Sequence, residues 1–191
     1  MTGRTHDLAA FTALNVIFVT QPLSEVSFAT VFVAVGANLI GGLSPDLDQV
    51  TSDLWQRLPA GSVIGRLVAP ILGSHRYISH SILGIVLTGF ILQHLLAAIN
   101  TVLLVDMNIV WSAFMIGYLS HLITDMFTKD GVPWFFPIPL RIGIPPLRLL
   151  RIKTGGMIEK SFIFPALMIA NGYMMYTYYG KYLDFLRHYI K

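Results

Sequence analysis

Four stretches of the chain, residues 26–43, 82–105, 107–124 and 161–180, run apolar with no Asp, Glu, Lys or Arg in them. Each approaches the roughly 20 residues that a helix needs to cross a bilayer. Residues 8–20 are also apolar but number only 13, so they cross only if His6, Asp7 and Gln21 extend the helix into the headgroups. The pattern predicts an all-α protein, a polytopic bundle of four to five transmembrane helices. Two polar-rich segments interrupt it. Residues 44–79 contain a weakly amphipathic stretch at 62–72, with Arg66 on it, that predicts a helix lying in the interface. Residues 129–160 concentrate Pro133, Trp134, Phe135, Phe136, Pro137, Pro139, Pro145 and Pro146. That composition prevents a continuous helix and suits an interfacial lid.

Composition supports lipid as the solvent. Apolar residues make up 54% and charged residues 12% of the chain, about half the charged share of soluble domains. A length of 191 residues calls for a single domain, 1–191. Residues 1–7 carry one arginine, and no small-residue cleavage site follows, so the first apolar stretch is expected to stay on the protein. The net charge of +3 comes from few groups and suits anionic headgroups, with no nucleic acid expected as a partner.

Basic residues orient the bundle, because cytoplasmic loops carry the excess of Lys and Arg. With five spans and an inner N-terminus, the inner segments hold Arg4, then Arg57, Arg66 and Arg76, then Lys129, Arg141, Arg148, Arg151, Lys153 and Lys160. The outer loops hold none. Lys181, Arg187 and Lys191 in the tail are the exception, which leaves the last crossing open to a re-entrant or interfacial reading.

The ionisable residues then fall into place. Asp46 and Asp48 follow the second span, His75 and His80 precede the third, His121 and Asp125 close the fourth, and His6 opens the first. In this topology all seven lie at one membrane face. Charged groups at membrane depth are costly and usually functional, so these seven are the candidate metal ligands. His121 and Asp125 are four apart and share a helix face, as two ligands of one ion must. His75 and His80 are five apart; a cap by Ser79 would leave His75 in the loop, folded back toward His80. Asp46 and Asp48 follow Pro45 in a turn or extended segment, where they can bridge two ions or divide between ligand and base. Arg76 offers a planar fork for a phosphate or carboxylate group, or pairs with Asp46 or Asp48. His94, mid-span and far from any carboxylate, reads as a packing residue, and His188 as interfacial.

With no cysteine in the chain, the ligands are imidazole and carboxylate, which fits Zn, Mn or Fe without choosing among them. The number of donors allows one ion or two.

These residues carry a resemblance. Met-Thr-Gly-x-Thr-His at 1–6, Ser-Pro-Asp-Leu-Asp at 44–48, Ser-His-Arg-Tyr-Ile-Ser-His-Ser at 74–81 and Gly-Tyr-Leu-Ser-His-Leu-Ile-Thr-Asp at 117–125 continue into Gly-Val-Pro-Trp-Phe-Phe-Pro at 131–137. The chain thereby resembles, nearly end to end, the YdjM-like family of bacterial inner-membrane proteins described as metal-dependent hydrolases. The family pattern looks like His-Arg-x-x-Thr-His and Pro-Asp-x-Asp-His; here Ser79 replaces Thr, and Gln49 follows Asp48, which removes one imidazole. The family is distantly similar to zinc-dependent phospholipase C. The resemblance implies zinc, phosphoester chemistry on a phospholipid or other amphiphile, and a free carboxylate, Asp48 or Glu159, as proton acceptor. The rival reading is a metal-binding transport or scaffold protein. A conduit needs polar groups along the bilayer depth, whereas here the ionisable groups crowd one end.

Overall fold

The computed structural model describes residues 1–21, 26–72, 78–100 and 104–189. It is all-helical. Eight α-helices follow in order: α1 Gly3–Thr20, α2 Phe28–Leu43, α3 Asp53–Arg57, α4 Gly61–Leu72, α5 Ile82–Ile99, α6 Met107–Met126, α7 Phe164–Thr177 and α8 Tyr179–Tyr189. Among the described residues three segments are long and apolar enough to cross a membrane: Phe28–Asp48, Ile82–Ile99 and Met107–Met126.

The centre of the bundle is the pair α2 and α6, which approach each other through glycine. A Cβ on Gly41 would lie 2.1 Å from Phe114 O, and one on Gly117 2.1 Å from Asn38 O. Lipid gives apolar helices little reason to associate, so packing at backbone contact and interhelical hydrogen bonds must hold them. Asn38 supplies such a bond, donating from Nδ2 to Ala113 O at 3.0 Å. α1 closes on the same seam, with Ala10 Cβ 2.8 Å from where a Gly42 Cβ would stand. α5 docks on α6 where Trp111 Nε1 donates to Gly89 O at 2.8 Å. The rest of α5 turns Val86, Phe90 and Leu95 outward, as a helix in contact with lipid does.

The predicted span at 161–180 has a different form. A π-helical turn, Glu159–Ile163, leads into α7, and Pro165 stands in its first turn. Proline has no N–H for the carbonyl four residues back, and the ladder widens to accommodate it. The helix then breaks at Tyr178, leaving 14 residues in α7. The amphipathic α8 follows, and its Lys181 donates to Val19 O at 3.2 Å and also to Gln21 O. A cation there satisfies carbonyls that the C-terminus of α1 leaves open. The tail lysine that broke the charge rule therefore has a capping duty at the end of α1 opposite His6.

The stretch predicted to lie in the interface is α4, and Trp55 packs on its Gly65. The segment after α6 is irregular but anchored. Val132 and Ile142 exchange backbone hydrogen bonds of 2.8 and 2.9 Å, and Ile152 N donates to Phe127 O at 2.9 Å.

Candidate metal centre

Five of the seven predicted ligands, His6, Asp46, His80, His121 and Asp125, reach the site from helix ends. His6 lies in the first turns of α1, while His121 and Asp125 lie in the last turns of α6. Asp46 sits in a 3-10 turn, Ser44–Asp48, that continues α2. Of the turn and the extended segment expected after Pro45 it is the turn that forms: proline is tolerated in a first helical turn, so the helix tightens instead of ending. In a 3-10 turn side chains two apart point about 120° from each other. Asp46 accordingly turns toward His80 and His121, and Asp48 toward Ser79. His80 precedes α5, whose cap is Ser81, accepting from Gly84 N at 3.1 Å; Ser79, expected as the cap, is left for another role.

The side chains converge. Asp46 Oδ1 lies 3.6 Å from both His80 Nε2 and His121 Nε2. Asp125 Oδ2 lies 3.8 Å from the same two nitrogens, and Asp125 Oδ1 is 3.4 Å from His6 Nε2. The Met1 amino group also bonds Asp125 Oδ1. His6 and His121 stack at 3.6 Å between ring centres, and His80 meets His121 edge-on at 5.2 Å. The donors fall into two triads that share His121: His6, Asp46 and His121, and His80, His121 and Asp125, with ligand atoms within 4.8 Å of one another in each.

The second nitrogen of each ring fixes where its proton is. His121 Nδ1 lies 2.7 Å from Gly42 O, an acceptor only, so Nδ1 carries a proton and the neutral ring keeps its lone pair on Nε2. Thr124 Oγ1 spends its hydrogen on the carbonyls of Ser120 and His121, both at 2.9 Å, and so accepts from His6 Nδ1 at 3.0 Å. Ser79 Oγ donates to Asp48 Oδ2 at 2.8 Å and accepts from His80 Nδ1 at 3.0 Å. With Nδ1 engaged, each of the three rings turns Nε2 toward carboxylate oxygens.

Lone pairs aimed at carboxylates repel unless a cation lies between them. His6 Nε2, His121 Nε2 and Asp46 Oδ1 are buried with no hydrogen-bond partner among the described residues. Unsatisfied buried polar atoms are rare in native proteins, and a shared divalent ion satisfies all of them. The Nδ1 atoms are held by a backbone carbonyl and two hydroxyls, outer partners of the kind that orient metal-bound histidine. The site could hold a metal ion, and its donors suit it to one.

A family model for YdjM inner membrane proteins matches residues 1–182. The chain belongs to that family. YvsG of Bacillus subtilis (strain 168), an uncharacterized protein, is 29% identical over 182 residues, 95% of this chain and 99% of YvsG. The inner membrane protein YdjM of Escherichia coli (strain K12) is 31% identical over 137 residues, 71% of this chain and 63% of its own length. YdjM of Shigella flexneri matches equally. No solved structure gives a significant match. This YdjM-family protein is thus a membrane protein whose His and Asp cluster could hold a metal ion.

The other candidates lie elsewhere. His75 and Arg76 fall outside the described residues. Asp48 is not among the converging donors but stands behind Ser79. Glu159 is fully buried and faces the N-terminus: Oε1 accepts from Thr2 N, Thr2 Oγ1 and Thr5 Oγ1, and Oε2 from Gly155 N, at 2.7 to 2.8 Å. Burial pushes its carboxyl pKa up, but these four donors outweigh burial and hold it below the ordinary value. A carboxylate so engaged braces the turn before His6 and is poorly suited to collect a proton. His94 is exposed, with Nδ1 2.9 Å from Phe90 O on its own helix. The outward position replaces the packing role expected for it.

Sequence reasoning missed Gly42, Thr124 and the bridging role of Ser79. Only Ser79 left a trace, as the hydroxyl position of the motif. Ser79→Ala removes the bridge between Asp48 and His80 and should weaken metal affinity about 10- to 100-fold, the usual effect of losing an outer partner. Ser79→Thr keeps the hydroxyl and should bind nearly as wild type. Competition against a chelator measures both, and wild-type affinity in Ser79→Ala would dismiss the bridge.

Proposed function

We propose that this YdjM-family protein is a membrane-bound, metal-dependent hydrolase that cleaves a phosphoester of a phospholipid or another amphiphile at the membrane face holding the cluster. The observation that carries the reading is the orientation of His6, His80 and His121, each with Nδ1 committed and Nε2 aimed at Asp46 and Asp125. By the positive-inside pattern that face is cytoplasmic.

Zinc is the proposed ion, with manganese or iron as alternatives, and once bound it supplies Lewis acidity and lowers the pKa of a coordinated water. The protein's own groups do the rest. His6, His80 and His121 are fully buried, while the Asp46 side chain is 22% exposed, so a substrate approaches past Asp46. That carboxylate stands at the open edge, placed to take a proton as the ester is attacked. Asp48 holds His80 in its tautomer through Ser79. Arg76, next to His75 in the chain, is the candidate to hold the phosphoryl oxygens.

Away from the cluster, four polar side chains of the bundle bind one another. Asn15 Nδ2 donates to Asn171 Oδ1 at 3.0 Å, Asn171 Nδ2 to Thr12 Oγ1 at 2.7 Å, and Tyr182 OH to Asn15 Oδ1. Groups occupied in this way favour an enzyme over an ion conduit. The test is metal analysis of detergent-purified protein, then a headgroup-release screen over lipids and soluble phosphoesters. Turnover should vanish on chelation and return with zinc. A protein that retains metal but turns over none of them would instead be a metal-binding scaffold.

A further inference from the structure

The segment that leaves α6 beside His121 and Asp125 carries a surface that the metal centre does not use. Residues 129–160 hold six basic side chains against two acidic ones, a net charge above the +3 of the entire chain. One of the two acids, Glu159, points inward. The other, Asp130, lies 3.6 Å from Arg148. Arg151 is occupied by Pro145 O and Pro146 O at 2.7 and 2.8 Å. Lys129, Arg141, Lys153 and Lys160 are exposed.

Five of the apolar side chains of this segment stand well exposed as well. Leu149 is 90% exposed, Leu147 and Leu150 67%, Ile138 59% and Leu140 56%. The backbone beneath them is tied down: Lys129 N donates to Ile152 O at 3.0 Å and Ile144 N to Met126 O at 2.8 Å. Leucines held outward on a fixed backbone need an apolar medium. The segment starts at the end of α6, a helix able to cross the bilayer, so that medium is close at hand.

We propose that residues 129–160 form a docking surface for an anionic phospholipid leaflet, with Leu147, Leu149 and Leu150 below the headgroups and Arg141 and Lys153 among their phosphates. Mixed basic and apolar surfaces bind membranes in this way, and each cation near an anionic leaflet adds to the affinity. A second copy fits less well, because in a two-fold pair the patch meets itself and basic side chains face basic side chains. The inference stands apart from hydrolysis.

Nitroxide labels on Leu147→Cys and Leu149→Cys test it in the full-length protein, which has no native cysteine. Vesicles are made of phosphatidylcholine with and without phosphatidylglycerol, and Phe90→Cys on the outer face of α5 gives the lipid reference. Labels at 147 and 149 should meet oxygen more often than a water-soluble nickel chelate, as the label at 90 does. Preference for the chelate would place the leucines in water and overturn the proposal. Shielding from both reagents would mean that protein covers them, which also overturns it. Spin-labelled phosphatidylglycerol should associate in preference to phosphatidylcholine, and Arg141→Gln with Lys153→Gln should cut the preference by up to about fivefold per cation. No preference in the unaltered protein would refute the anionic partner.

Discussion

His121→Ala should leave the purified protein with little bound metal, because His121 belongs to both donor triads. Its loss should exceed the roughly 10- to 100-fold typical of outer partners, and elemental mass spectrometry reads it directly. The thermal consequence follows from linkage, since an ion that binds only the folded state raises stability in proportion to the logarithm of its concentration over Kd. Added zinc should raise the unfolding temperature of the unaltered protein and leave that of His121→Ala unmoved. His94→Ala is the control, because His94 lies exposed on α5 with its ring on Phe90 O, and it should retain full metal. Equal metal content in His121→Ala and the parent would remove His121 from the centre.

Gly117→Ala should be among the most damaging single-methyl changes in the bundle. The added carbon would lie 2.1 Å from Asn38 O and 2.8 Å from Gly42 N. Both are backbone atoms that no rotamer change can move, so α2 and α6 must separate. Overpacking of this kind costs about 1–3 kcal/mol, occasionally more, and should appear as a lower unfolding temperature in detergent. Metal affinity should fall with it, because the 2.7 Å bond from His121 Nδ1 to Gly42 O spans the same seam. Gly36→Ala, on α2 with nothing within 4 Å, adds the same methyl without the clash. It should be neutral or slightly stabilising, since alanine is the better helix former. If the two variants unfold alike, the glycine seam is not what holds the centre together.

The chemical inventory was readable from sequence because it depends on local order. Apolar runs report their own length, so α2, α5 and α6 were legible. A spacing of four on a helix puts His121 and Asp125 on one face whatever surrounds them. The ends of spans are also visible, which is why His6, Asp46 and His80 could be expected to meet. The span at 161–180 was less legible, because Pro165 and the break at Tyr178 reshape a run that hydropathy alone reads as one helix.

Other features depend on contacts between residues far apart in the chain. Sequence could not divide Asp46 from Asp48, since Pro45 left both a turn and an extended segment open and the two forms aim the carboxylates differently. Nor could it assign Glu159, whose partners Thr2 and Thr5 lie more than 150 residues away. The tautomers of the three histidines were decided by Gly42 O, Thr124 Oγ1 and Ser79 Oγ. Two of those partners, Gly42 and Thr124, lie 79 and 118 residues from the rings they fix. A hydrogen bond at that separation exists only once the helices have packed. Sequence by itself determined which donors were available and at which end of the bundle, and only the tertiary structure decided which atom of each donor faces the centre of the cluster.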